Sequence, residues 1–448
     1  MRYTFSLFIL ALLTFSISAQ AQTRQIKTIA GNGTQGFFGD GGAAPGAELN
    51  VPLGVAIDNM GNVYIDDYGN KRIRKVSING VITTVAGTGV AGNTGNGSVG
   101  TSAKVSPHSV AVDKHGNIYM SDASYSVVRK VDAVSNIITT IAGNGIWGYT
   151  GNGSPAIYAQ LHTPLGLAFD NMGNLYIADA GNHAIRMVDT AGIISTVAGM
   201  DSAGYSGDGG LADTARLDSP VAVAVDPMGN IYISDYGNNV IRKVSDGIIT
   251  TFAGTQGVYG FLGDGGLAAL AQLFYPEGLA VDTFGNLFIA DANNNVIREV
   301  DTFGIIHTVA GNNSPGFGGD LGDALGANLH NPYAIAVDAY GGLYIADANN
   351  ERIRKTYSLT GVIGMTGSTP HIVVSPNPFI NQVTVSGLDQ TDKIRVYDII
   401  GRPLSELMNV TANGSQTLTI NGLSPGIYLL QAYDQAGNKK ATVQLAKE

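Results

Sequence analysis

The chain has 448 residues, of which 13% are charged, with 61 glycines, no cysteine and a formal net charge of −10. The acidic balance excludes the concentrated basic surface that nucleic acid or an anionic membrane requires. The missing thiols exclude disulfides, thiolate metal sites, a lipoprotein anchor and a cysteine nucleophile. Gly at about one residue in seven, without collagen's period of three, points to turn-rich β structure.

In chain order, the first element is a signal peptide over residues 1–21. Arg2 supplies its positive end, Phe5 to Ile17 its apolar stretch, and Ala19-Gln20-Ala21 a small-x-small cleavage site. A membrane anchor is the alternative, but the apolar stretch is short for a bilayer. Residues 22–367 then form one repeat array. A glycine-rich segment opens six times, as "GFFGDGGAAPGAEL" at Gly36 and again at Gly92, Gly148, Gly204, Gly260 and Gly316, with 56 residues between starts. Each unit parses into four short strands: a ("GVAI"), b ("NVYI"), c ("RIRKV") and d ("VITTVAG"). An Asp-x-x-Gly-Asn turn links a to b, with the Asp accepting backbone N–H bonds and the Gly supplying positive φ.

Strand a is small in every copy, at Gly54, Ser109, Gly166, Ala222, Gly278 and Ala334. Crowding near an axis explains this and a stacked solenoid does not, so the reading is all-β: a six-bladed β-propeller followed by a small antiparallel β-sandwich. The small strand also predicts a channel wall poor in reactive groups. A strand at about residues 25–31, "IKTIAG" at its heart, closes blade six and removes a free sheet edge. "GVIGMTG" from Gly361 is the alternative closing strand. Residues 368–372 are a linker, and residues 373–448 read as the sandwich, with alternating strands, the Asn377-Pro378 turn and breaks at Gly401, Gly422, Gly426 and Gly437.

Several side chains recur at fixed places. Asp67, Asp122, Asp179, Asp235, Asp291 and Asp347 are each followed seven residues later by Arg74, Arg129, Arg186, Arg242, Arg298 and Arg354. Six copies suit structural ion pairs bracing the b–c turn better than six active sites, and the planar Arg fork suits a braced carboxylate. Asp40, Asp208, Asp264 and Asp320, with Asn96 and Asn152 in the other two loops, are expected to fix their turns through local backbone bonds. One carboxylate per blade is too few for calcium, and "GDGG" lacks the Lys of a phosphate loop.

Beside them, Phe37, Tyr149, Tyr205, Phe261 and Phe317 place aromatics around the loop face, with Trp147 breaking the symmetry. They are the ligand-binding candidates, for a sugar ring or a peptide; pinning of the loops is the other reading. His162 and His330 hold equivalent positions before strand a, where the other copies carry Asn50, Val105, Asp218 and Phe274. His162, His330 and Asp218 are the candidate ligands for a divalent metal ion, the one cofactor considered. No catalytic set can be assigned from spacing.

The unit "P-x-G-V-A-x-D-x-x-G-N-x-Y-I-x-D-x-x-N-x-x-I-R-K-V" resembles the NHL repeat, and "TVAG…GDGG" resembles its bacterial extracellular branch. Gly342 replaces the turn Asn in the sixth copy, and "GNGS" replaces "GDGG" in the second and third. The resemblance implies a binding platform; lyase or hydrolase relatives with metal at the channel mouth give the alternative. "SPNP", "VYDIIGR" and "GIYLL" in the tail resemble the type IX (Por) secretion system sorting domain. That implies passage through the periplasm, outer-membrane type IX export machinery as a partner, and a secreted or cell-surface destination. An adhesion or spacer module is the other reading of the tail. The expected function is a binding or interaction propeller contacting an extracellular glycan, peptide or protein through its loop face, with no transmembrane helix once the signal is removed.

Overall fold

The computed structural model describes Arg24–Ser358 continuously and, in the tail, Leu404 and the strands Val373–Ser375, Gln382–Ser386, Lys393–Asp398, Met408–Asn409, Ser415–Thr419, Gly426–Tyr433 and Lys439–Lys447. The signal peptide, the linker and the Gly361 strand lie outside the described residues. Six antiparallel sheets of the four-strand order a-b-c-d succeed one another along the chain, as in Pro52–Ile57, Val63–Asp67, Arg72–Val76 and Ile82–Ala86 of blade 1. Blade 3 gains a two-residue fifth strand, Ser154–Pro155. In blade 6 the outer strand is Arg24–Ala30, pairing with Arg352–Ser358 from Arg24 opposite Ser358 to Ala30 opposite Ile353. The tail forms two antiparallel sheets, of three and four strands, whose inward residues include Val385, Leu418, Val396 and Leu430. No helix among the described residues is long and apolar enough to cross a membrane.

The local chemistry explains each blade. Asp58 Oδ1 accepts the N–H of Met60 (3.0 Å) and Asn62 (2.8 Å), its Oδ2 takes the Asn62 amide (2.7 Å), and Gly61 sits at φ +85. In blade 6, where Gly342 replaces that Asn, Asp338 is instead met by Lys355 Nζ at 3.2 Å. Strand b is buried over its whole length in blade 1. Its residues enter six separate apolar layers, one in each seam between neighbouring blades. The seam of blades 1 and 2 joins Tyr64, Ile73 and Ala86 to Val110, Ile118 and Met120. Crowding at the inner strand is severe: a Cβ on Gly278 would lie 2.6 Å from Ala334 Cα, and one on Gly166 2.7 Å from Ala222 Cα.

A second tie crosses the seams. After each b–c turn one residue adopts the left-handed conformation: Lys71, Ser126, His183, Asn239, Asn295 and Glu351. Asn239 Oδ1 accepts the N–H of Tyr275 in the next blade at 2.8 Å, and Asn295 that of Asn331 at 3.0 Å. His183 Nδ1 accepts that of Ser219 at 3.0 Å, and Glu351 that of Val51, which joins blade 6 to blade 1.

Closure by Arg24–Ala30 has a measurable worth. Ile26 and Ala30 are fully buried in two different seams. Deleting residues 24–30 is expected to cost more than the roughly 2–5 kcal/mol of an Ile26→Ala cavity, because it also bares the edge of Arg352–Ser358. Urea midpoints of the full chain, Ile26→Ala and the deletion, run beside size exclusion for edge-driven self-association, check this. A deletion no worse than Ile26→Ala would contradict it.

Candidate functional site

Five of the six Asp–Arg sets form pairs that build a repeated scaffold on the loop face. Asp67 ends strand b and precedes a short 3-10 turn, Tyr68–Asn70. Its Oδ1 accepts the Asn50 N–H (2.8 Å), while Oδ2 meets Asn70 Nδ2 (2.8 Å) and Arg74 Nη1 (3.1 Å). Arg74, fully buried, reaches on to Asp40 at 2.7 Å, and Asp40 takes the Thr84 N–H and hydroxyl. The same double grip holds Arg242 between Asp235 (3.5 Å) and Asp208 (2.6 Å), Arg298 between Asp291 (3.3 Å) and Asp264 (2.6 Å), and Arg354 between Asp347 (3.2 Å) and Asp320 (2.7 Å). Arg186 pairs with Asp179 at 3.3 Å and with Asn152 Oδ1 at 3.0 Å.

Three expectations need correction here. The loop residues Asp40, Asp208, Asp264 and Asp320 are held by the strand-c Arg, and Asp40 and Asp208 also by a strand-d Thr, not by their own backbone, because a buried guanidinium demands acceptors. Blade 2 departs from the scaffold: Arg129 turns to Lys104 O (2.8 Å) and Asn96 Oδ1 (3.0 Å), and Asp122 keeps one oxygen without a partner. Burial pushes Asp122 up to about 7. The counterpart of His162 in blade 2 is Ser106, not Val105. Ser106 N–H is the one bound to Asp122 (3.2 Å), and Val105 is fully buried, as Leu161 is in the next blade.

The aromatic candidates cover this scaffold. Phe37 lies 3.7 Å from the Arg72 and 4.8 Å from the Arg74 guanidinium carbon, Phe317 likewise 3.7 Å from Arg352 and 4.9 Å from Arg354. Tyr149, Tyr205 and Phe261 sit 5.0, 4.7 and 5.1 Å from Arg186, Arg242 and Arg298. Phe37 and Phe317 remain 42% and 46% exposed, so these rings both cap an arginine and face solvent. Trp147 caps no arginine; it is 66% exposed and stacks on His162 at 5.3 Å. The main-chain N–H of His162, Asp218 and His330 each bind the strand-b Asp of their own blade, at 2.7, 2.6 and 2.8 Å. Their side chains do not converge, and no group of three His, Asp or Glu suited to a metal occurs among the described residues.

What the sequence reading missed lies at the axis. The residue just before the small position of strand a is Leu53, His108, Leu165, Val221, Glu277 or Tyr333. Tyr333 Oη lies 3.3 Å from His108 Nε2, and their rings meet edge-on at 5.6 Å. These residues belong to blades 6 and 2, which are not neighbours, so they meet across the axis itself. Tyr333 also lies beside Glu277 of blade 5, and Tyr68 of blade 1 packs on His108 at 5.8 Å. The channel mouth is therefore lined by large polar groups, against the expectation of a wall poor in reactive side chains. Burial pushes Glu277 up to about 8 and His108 down to about 4. Glu277 Oε2 has no partner.

From this cluster an aromatic row runs outward. Tyr236 stacks on Tyr275 (4.6 Å), Tyr275 on Phe274 (5.1 Å), and Phe274 on Tyr259 (4.9 Å), which is 64% exposed. The signal was present in the sequence, in the columns where the copies disagree. Elsewhere, a groove of about 550 Å³ between blades 2 and 3 is bordered by Lys114, Tyr119, Lys130, Phe169 and Met172, and by none of the candidate site residues.

Comparison with known proteins agrees with this architecture. Residues 18–94, 148–205 and 260–318 match the teneurin NHL domain, residues 217–243 the NHL repeat, and residues 373–446 the secretion system C-terminal sorting domain. Human Teneurin-1 is 27% identical over 92% of the chain, and mouse Teneurin-4 36% identical over 46% of it; the chain spans 15% and 8% of those proteins. A Bacteroides thetaiotaomicron protein of unknown function shares the fold at TM-score 0.56 and 22% identity, covering 75% of this chain and 76% of the other. An auxiliary nutrient binding protein from Bacteroides ovatus does so at 0.55 and 17%, covering 75% and 77%.

Proposed function

We propose that this chain, an NHL-repeat six-bladed propeller that a C-terminal sorting domain carries to the cell surface or the extracellular space, is a binding protein that grips an extracellular ligand on its loop face at the channel mouth. The observation that carries this is asymmetry. A scaffold of Asp–Arg pairs recurs in five of the six blades and needs no ligand to explain it. The row Tyr236–Tyr275–Phe274–Tyr259, leading into Glu277, Tyr333 and His108, has no sixfold counterpart. Aromatic bodies with a few convergent polar groups are what recognition sites are built from. The surface of the six loops supports a glycan, peptide or protein as ligand, and the likeness to nutrient-binding propellers favours a molecule captured from outside the cell.

The test is retention of the full chain on glycan and peptide arrays. A Tyr259→Ala, Phe274→Ala variant is expected to lose at least about tenfold in affinity, while its melting temperature stays close to that of the wild type. Undiminished retention by the variant would overturn the assignment of the site.

A further inference from the structure

We infer that the channel mouth is a receptor for a primary ammonium group, held by the Glu277 carboxylate and by the ring of Tyr236. This rests on the loop-face reading above and names the chemistry at its centre. Glu277 is 8% exposed, and its Oε2 has no partner. A buried carboxyl with a free acceptor gains most from a cationic donor. Around it the groups are aromatic: Tyr236, Tyr333 and, across the mouth, Tyr68.

The stacking order decides which rings can contribute. Tyr275 is covered on both sides, by Phe274 and by Tyr236. Tyr236, partly exposed, ends the row at the mouth, within electrostatic reach of Glu277. Aromatic faces attract cations, and with a carboxylate beside them they form a site of one sign. Tyr68 already shows this: Lys71 Nζ lies 3.8 Å from its ring centroid, an internal ammonium on the opposite rim. Lys71 on the opposite rim repels a second cation, while the remaining titratable neighbours do not oppose the assignment. Asp66, buried in the adjoining seam with both oxygens unpartnered, adds negative character when ionised, and burial holds His108 in its neutral form. Two sources can present such a group: a free alkylamine and the lysine side chain of a peptide.

The experiment is calorimetric titration of the full chain at pH 7.5 with n-butylammonium chloride, with acetyl-Ala-Lys-Ala-amide and with 1-pentanol, in two buffers of different ionisation enthalpy. Binding of the ammonium probe should release most of one proton, since burial keeps Glu277 largely protonated until the ligand arrives. Glu277→Gln, which keeps the shape and the neutral hydrogen bonds, should lose at least tenfold in affinity and all of the proton release. Tyr236→Ala should lose about fivefold. Equal binding of both ammonium probes makes the free amine sufficient, and tenfold preference for the peptide places the ammonium on a lysine; either result supports the site. No binding of either probe, equal binding of 1-pentanol, or an unaffected Glu277→Gln chain overturns it. Array ligands retained equally by wild type and Glu277→Gln would sink the ammonium assignment alone and leave the loop-face reading standing.

Discussion

Replacing Arg242 by Ala destabilises the propeller by about 3–5 kcal/mol, because it strands Asp235 fully buried and removes the grip on Asp208. The loss also uncaps the Tyr205 ring and frees the carbonyls of Arg216 and Ser206. Arg129→Ala is the internal control. Its strongest side-chain partner is the neutral Asn96, and Asp122 lacks a direct ionic contact with it already. Deleting Arg129 forfeits hydrogen bonds to neutral acceptors only, at roughly 1–3 kcal/mol. Urea unfolding of the two variants should therefore separate them clearly. Equal midpoints would mean that the double carboxylate grip adds nothing to stability.

The second large effect is a pH dependence carried by Glu277. Its carboxyl ionises near the usual carboxylate range when the chain is unfolded, and at about 8 when folded, because burial penalises the charged form. Between those values the folded chain holds a proton that the unfolded chain has lost. The associated stability is complete below about pH 4.5, falls as pH rises, and is gone once pH passes 8. Glu277→Gln has no such proton. The stability of wild type relative to this variant should fall by roughly 4 kcal/mol from pH 5 to pH 8.5. His108 works with the opposite sign on the acid side, its stability being lost as pH falls from 6.5 toward 4. Parallel stability curves for wild type and Glu277→Gln would show that the carboxyl is not desolvated.

The architecture was legible because it is periodic. A 56-residue spacing, one small position per strand a and one Asp-x-x-Gly turn per blade are local signals carried by all six copies. The scaffold was half legible: the Asp67–Arg74 spacing announced the pair, but nothing near Asp40 showed that Arg74, 34 residues on, would reach it. The channel mouth was not legible by the same method. His108, Glu277 and Tyr333 come from three blades and meet only when the ring is closed, and each looks like a deviation within its own copy. Reading for what recurs finds the support of a propeller. Reading for what fails to recur finds the place where it has been specialised.

The strand that completes blade 6 is the first of the propeller to be synthesised, and its partner is the last. Arg24 must wait for Ser358 before the pairing exists, so the ring has no closed form until nearly the whole array is available. Local blades can assemble early, but the final cooperative step brings together residues more than three hundred positions apart, which is intrinsically slow. A nascent or partly delivered chain is an open crescent, and the commitment to a finished disc comes at the end of the journey.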